Sequence, residues 1–138
     1  MDDELDRIRE RKREQLRERA EREQQLAASP EEPLEVTGAG HFEQVLENYP
    51  VVLVDFYADW CGPCQMLAPI LETVAAETAA TVAKVDTDSH QRLAQQHGVQ
   101  GLPTLVVFVD GEPVERLVGM QDETTLRNVI AEHDPASD

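Results

Sequence analysis

The apolar positions of this chain fall into two regimes. Before residue 34 they are sparse: Leu5, Ile8, Leu16 and Leu26 stand among charged residues at no fixed interval. After it they come in blocks. Val51-Val52-Leu53-Val54-Asp55-Phe56-Tyr57 is apolar and β-branched, the pattern of a buried strand. Residues 81–86 and 104–109 read as two more strands. From Gln65 to Ala75 the apolar residues return at helical spacing and predict a helix over 62–78, with Pro69 inside it as a kink. Phe42, Val45 and Leu46 share one face of a short helix over 41–48, closed before Pro50. Ser89 is expected to cap a helix over 90–97 that Gly98 ends. Asp110-Gly111 signals a hairpin, and Pro113 marks the return strand, 113–118, as an edge. Asp122 caps a last helix, 123–133, with Leu126, Val129 and Ile130 inward. With a short edge strand at 34–37, the order is βαβαβαββα. That is an α/β fold: a mixed sheet with a parallel core and an antiparallel hairpin, helices on both faces.

Residues 3–27 lack Gly and Pro and also read as helix. Asp3–Arg7 and Glu18–Arg22 stand four apart; Asp6–Arg9, Glu10–Arg13 and Glu14–Arg17 stand three apart. Each pair adds a few tenths of a kcal/mol, about 0.2–0.5, to a helix. The apolar residues are too sparse for a coiled-coil seam. A solvated helix and a docking arm are both open. Residues 29–33, with two prolines and two acids, form a linker. The chain therefore divides into an extension, 1–33, and a folded domain, 34–138.

Charge changes the picture of partners. The net charge is −16: residues 1–32 hold 11 acids and 8 bases, and residues 33–138 hold 17 acids and only 4 bases. A domain so acidic repels phosphates, so no nucleic-acid partner is expected. Arg7, Arg9, Arg11, Lys12 and Arg13 cluster, but acids interleave them. The scattered acids suit either high salt, which screens self-repulsion, or a face for basic partners. No run of apolar residues is long enough for a membrane span, and the charged start lacks a signal peptide. A cytoplasmic location is expected.

The chemistry lies in Trp60-Cys61-Gly62-Pro63-Cys64, which holds both cysteines of the chain. A predicted strand precedes it and a predicted helix follows. Cysteines three apart at a helix start lie on one face, about 4.5 Å apart in rise, within reach of a disulfide. Pro63 suits a first turn. The helix end, carrying about half a positive charge, favours a thiolate on Cys61. Cys64, one turn in, is expected to be more buried and to act as the resolving thiol. A structural disulfide and a zinc site are the alternatives. One Cys-x-x-Cys supplies too few zinc ligands, and His41, His90, His97 and His133 show no ligand spacing. No metal or cofactor is expected. Asp55 is either an exposed strand-end carboxylate or, in a central strand, a buried one whose raised pKa fits it to take a proton from Cys64.

The segment Val54-Asp55-Phe56-Tyr57-Ala58-Asp59-Trp60-Cys61-Gly62-Pro63-Cys64 resembles the active-site segment of the thioredoxin family. Gln100-Gly101-Leu102-Pro103-Thr104 resembles its cis-proline loop, Val118-Gly119 its substrate-side glycine, and Val82-Ala83-Lys84-Val85-Asp86 its central strand. Pro69 matches its kink proline. The resemblance spans about 34–134 and implies the thioredoxin fold. It implies that Cys61, Cys64, Asp55 and Lys84 are catalytic, with Lys84 beside Asp55. It implies a cis bond before Pro103 and a target-docking surface of Trp60, Gly62, Pro63, Gly101, Leu102, Pro103, Thr104 and Gly119. The activity implied is reduction of disulfides in target proteins, with recharging by a thioredoxin reductase; a monomer is expected. The acidity suggests a halophilic member, here with a charged N-terminal extension. Two positions depart from the pattern: Tyr57 replaces a common tryptophan, and Gln65 a common cation. The Gly-Pro between the cysteines resembles reducing members. A disulfide isomerase or oxidant, or an acidic binding module with incidental redox activity, are the competing readings.

Overall fold

The computed structural model describes residues 2–135, with the side chains of residues 2 and 22–28 left out of the description. The elements are α1 (Asp2–Ala28), β1 (Leu34–Glu35), α2 (Ala39–Asn48), β2 (Val51–Tyr57), α3 (Gly62–Glu77), β3 (Thr81–Asp86), α4 (Gln91–Gln96), β4 (Thr104–Val109), β5 (Glu112–Val118) and α5 (Glu123–His133). From residue 34 on this is the expected order. The five strands form one mixed sheet, β1-β3-β2-β4-β5. β1, β3 and β2 run parallel, and β4 and β5 are antiparallel to their neighbours. Pro113 lies in β5, at the edge, where a missing ladder donor costs little.

β2 is central because it is apolar on both sides. Successive side chains of a strand point to opposite faces. Val51 and Leu53 meet Leu67, Leu71 and Val74 of α3 and Leu126 and Ile130 of α5. Val52, Val54 and Phe56 meet Phe42 and Val45 of α2 and Leu93 of α4. Fully burying each such side chain is worth about 1.5–3 kcal/mol, so the strand is fixed in depth and register before any functional group is placed. α3 starts at the end of β2 and runs to Glu77, unbroken at Pro69.

Several expectations shift. The 34–37 strand shortens to two residues, with the Val36 N–H still donating to the Lys84 carbonyl at 2.9 Å. Ser89 does not cap α4. His90 holds the N-cap position without a side-chain bond, and the Ser89 hydroxyl faces Asp86 Oδ2 at 3.4 Å instead. Gly98, at φ +66°, follows α4 in the left-handed region where glycine is least strained. Asp122 does cap α5, its Oδ1 accepting the Thr125 N–H at 2.8 Å.

α1 is helical as expected. The pairs Asp3–Arg7, Asp6–Arg9, Glu10–Arg13 and Glu14–Arg17 do not close into ion pairs; among the described residues the ion pairs lie on α3, β5 and α5. The side chains of Arg22 and Leu26 fall outside the described residues. The linker is not wholly solvated. Ser29 is buried, and its hydroxyl donates to the Ala79 carbonyl at 2.8 Å, tying the end of α1 to the loop before β3.

Candidate active site

Beyond β2 a tight turn carries the chain to α3, closed by the Cys61 N–H donating to the Ala58 carbonyl at 3.1 Å. Cys61 is the N-cap of α3, in extended backbone, and its Sγ accepts the Cys64 N–H at 3.3 Å. A sulfur in this place faces the unpaired amides of the first turn, which favour negative charge. Pro63 sits in that turn, where its missing N–H leaves no gap in the ladder. Cys61 and Cys64 are joined as a disulfide with their Cα atoms 5.3 Å apart. Both residues are nearly closed to solvent, 5% and 4% exposed. The expected difference in burial is therefore absent. The asymmetry between them is one of position: Cys61 caps the helix and Cys64 lies within its first turn.

The turn is braced from two sides. Trp60 is 71% exposed, yet its Nε1 donates to Asp88 Oδ2 at 2.8 Å. Gln65, where a cation is common in the resembling family, donates through Nε2 to the Asp59 carbonyl at 2.7 Å. Asp88 went unnoticed in the sequence because its link to Trp60 spans 28 residues with no local pattern.

Across from the sulfurs, the Leu102–Pro103 peptide is cis, and Leu102 packs on Ala58, Cys61 and Cys64. Trp60, Cys61, Gly62, Pro63, Gly101 and Leu102 line one open groove. Three expected docking residues lie behind it. Thr104 is buried and its hydroxyl donates to the Gly101 carbonyl at 2.6 Å. The Gly119 N–H donates to the Pro103 carbonyl at 2.8 Å, with Gly119 at φ +93°. These residues shape the loop that the groove is cut from. Val118 is exposed and its Cγ1 lies 3.7 Å from where a Cβ on Gly101 would stand, so it extends the apolar rim.

Asp55 shares the α3 face of β2 with Val51 and Leu53 by strand alternation. It has no solvent exposure, and neither carboxylate oxygen has a hydrogen-bond partner among the described residues. Burial pushes its pKa up to about 7; the Lys84 charge opposes the shift and Glu35 adds to it. Lys84 is its cross-strand partner on β3, as the resemblance implied. The Lys84 ammonium does not bond Asp55. It lies over the Tyr57 ring, 4.4 Å from the centroid, and the Tyr57 hydroxyl donates to Glu35 Oε1. Glu35 is a participant the sequence reading missed, because its place depends on the register of a two-residue strand.

Chemistry of this kind moves an electron pair between sulfurs, which places the protein among the thiol–disulfide oxidoreductases. The sequence profile of the thioredoxin family matches residues 32–132. A thioredoxin of Chlamydia trachomatis is 51% identical over 84 residues, covering 60% of this chain and 82% of its own. A bifunctional thioredoxin reductase/thioredoxin of Mycobacterium leprae is 45% identical over 95 residues, 67% of this chain and 21% of its own. The solved structure of a mutant thioredoxin from Halobacterium salinarum NRC-1 superposes with a TM-score of 0.75 at 56% identity, covering 77% of this chain and 94% of that one. The chain belongs to the thioredoxin family. Its activity is protein-disulfide reduction, with Cys61 and Cys64 cycling between dithiol and disulfide; the oxidant, isomerase and binding-module readings are not favoured.

Proposed function

We propose a division of roles at the pair. The Cys61 thiolate attacks one sulfur of a target disulfide, and the other target sulfur leaves as a thiolate that takes up a proton. Cys64 then gives its proton to Asp55, and its sulfur attacks Cys61 Sγ. The mixed disulfide breaks, the second target thiolate leaves and takes up a proton, and Asp55 gives the proton it received to solvent. The target gains two electrons and two protons, and the chain ends as the disulfide. The observation that carries this reading is Cys61 Sγ accepting the Cys64 N–H at the helix N-cap: the same amide stabilises a thiolate there. Asp55, with a pKa near 7, is matched to a proton transfer near neutral pH, and Lys84 moderates it.

Trp60, Gly62, Pro63, Gly101 and Leu102 form the docking face, and Pro103, Thr104 and Gly119 hold it in shape. An extended target segment would pair with the backbone beside Leu102, in the manner of strand addition. Cys61→Ser is expected to abolish reduction of an insulin disulfide, and Cys64→Ser to accumulate mixed disulfides. Retained activity in the Cys61 variant overturns the assignment.

Disulfide-bearing target proteins and a thioredoxin reductase are the proposed partners. The relative in which both activities share one chain supports the second. We assign the protein to the cytoplasm as a monomer. Two cysteines used for exchange rather than scaffolding suit a reducing compartment, and no helix among the described residues is long and apolar enough to cross a membrane. The reductase unit is 34–138. Residues 1–33 are an extension that the family match barely enters, and Leu5, Ile8 and Leu16 are exposed on it. The acidic surface reflects use at high salt, supported by the similarity to a Halobacterium protein. Stability that rises steeply between low and molar salt is the expected result.

A further inference from the structure

Three neighbouring strands place Glu35, Lys84 and Asp55 in one cross-strand row. Glu35 on β1 pairs with Lys84 on β3, and Lys84 pairs with Asp55 on β2. Paired residues point to the same face, and adjacent strands lie about 4.8 Å apart. Glu35 and Asp55 thus flank one ammonium, about 10 Å apart at their backbones. Tyr57, two residues beyond Asp55, points to the same face. Its hydroxyl reaches across β3 to Glu35, and its ring lies under Lys84 Nζ. Asp55, meanwhile, bonds to nothing among the described residues. Of the two carboxylates beside Lys84, the one fixed by a protein bond is Glu35.

We propose that Glu35 and Tyr57 are positioning residues for disulfide exchange: they hold the Lys84 ammonium on the Tyr57 ring, away from the Asp55 oxygens, and so leave that carboxylate free to exchange a proton with Cys64. The inference rests on the reading of Asp55 as the proton acceptor. A direct ion pair with Lys84 would lock Asp55 as a carboxylate, a weak base toward a thiol. Left at a distance, the ammonium tempers the cost of charging Asp55 without fixing it. The aromatic face is a suitable seat for a lysine, because the ring quadrupole attracts a cation. A tyrosine also offers a hydroxyl that anchors the ring to Glu35, which gives the departure from tryptophan at this position a structural consequence.

Other charges face the same place. Glu31, Glu32 and Glu72 line a cleft with Lys84, and each offers it a competing negative charge. Asp86 on β3 pairs with Tyr57 in register, and Asp59 bears on the Tyr57 hydroxyl from the turn. Of these, Glu72 comes from α3; Cys64 of the same helix is held in the disulfide and has no proton to lose in the oxidised chain. On β4 the cross-strand partner of Asp55 is Leu105, which carries no charge.

The test is a carboxyl-carbon NMR titration of Asp55 in the full oxidised chain, with the pH profile of mixed-disulfide resolution measured beside it. Tyr57→Leu removes the ring seat, frees Lys84 to pair with Asp55, and is expected to lower the Asp55 midpoint by about one unit. Glu35→Gln is expected to lower it as well, and because the Glu35 charge by itself raises the Asp55 midpoint, only the part of that shift lost in a Lys84→Met background supports the proposal. Tyr57→Phe keeps the ring but loses its bond to Glu35, and is expected to lower the midpoint by less than Tyr57→Leu does. In a Lys84→Met background the Tyr57→Leu shift is expected to vanish. Circular dichroism establishes that each variant is folded. An Asp55 midpoint unmoved in folded Tyr57→Leu, or a shift that persists undiminished without Lys84, overturns the proposal. A midpoint that moves while the kinetic profile stays put keeps the bracket around Lys84 and overturns the assignment of Asp55 as the base.

Discussion

Along β2, odd- and even-numbered residues meet different neighbours. The even face, Val52, Val54 and Phe56, closes over Phe42 and Phe108, with the His97 ring 5.7 Å from that of Phe56. The odd face starts in the same way with Val51 and Leu53, then places Asp55 where another aliphatic residue would fit. Val54 and Asp55 are equally buried, both without exposure. Depth alone therefore does not separate structure from function. The difference is whether the buried atoms are satisfied. The apolar side chains of the even face lose nothing by exclusion of water, while Asp55 holds two oxygens without a partner among the described residues.

The strongest way to break this contrast is to damage the even face. Phe56→Ala is expected to cost about 3–5 kcal/mol, from lost burial and the cavity left behind. Urea unfolding should show that loss at every pH, because no charge is involved. An even-face substitution that also moved the pH profile of disulfide reduction would show that the two faces are not separate.

Asp55→Asn should act in the opposite sense. The folded protein keeps Asp55 neutral up to about pH 7, whereas the unfolded chain ionises it near its ordinary 3.8. The folded state thus binds the extra proton between those values. Stability from this group is complete below about pH 4 and is lost as pH rises through 7. Asparagine stays neutral, so the variant should match the parent at pH 4 and exceed it by up to about 4 kcal/mol at pH 8. Resolution of the mixed disulfide should slow about a hundredfold or more, as for loss of a general base. Equal stability of the two proteins at pH 8 would return Asp55 to the status of an ordinary carboxylate.

How much of this was legible follows from range along the chain. β2, α3 and the hairpin were readable because apolar period, Gly-Pro and Asp-Gly are local signals. The cysteine pair was readable because its chemistry needs only a three-residue spacing and a helix start. Asp55 stood out as a charge within an apolar run, but its partners needed a register that periodicity does not carry. The Glu35 bond to Tyr57 spans 22 residues, and the Trp60 bond to Asp88 spans 28. The Ser29 bond to Ala79 spans 50, and it contradicts the linker's polar composition. The misplaced cap at Ser89 has a local cause: Asp86, three residues back, competes for the hydroxyl that an N-cap would use.

The smallest expected effect concerns the titratable ring packed on the even face. His97 lies against Phe42, Phe56 and Phe108, with ring centroids 5.1, 5.7 and 5.9 Å away. Burial lowers its pKa, and the nearby Arg116 charge lowers it further. The unfolded chain therefore takes up a proton near pH 6.5 that the folded state refuses. Stability from His97 is whole above that value and is lost as pH falls through it, the reverse of the slope set by Asp55. His97→Gln should flatten the decline in urea stability below pH 6.5 and leave the limb set by Asp55 in place. Because His97 is only half-buried, water screens much of its penalty, and the change should be well below that of Asp55→Asn. If the acid-side slope survives the substitution intact, the even face carries no titrating group that matters, and the two faces of β2 differ in charge even more sharply than their residues suggest.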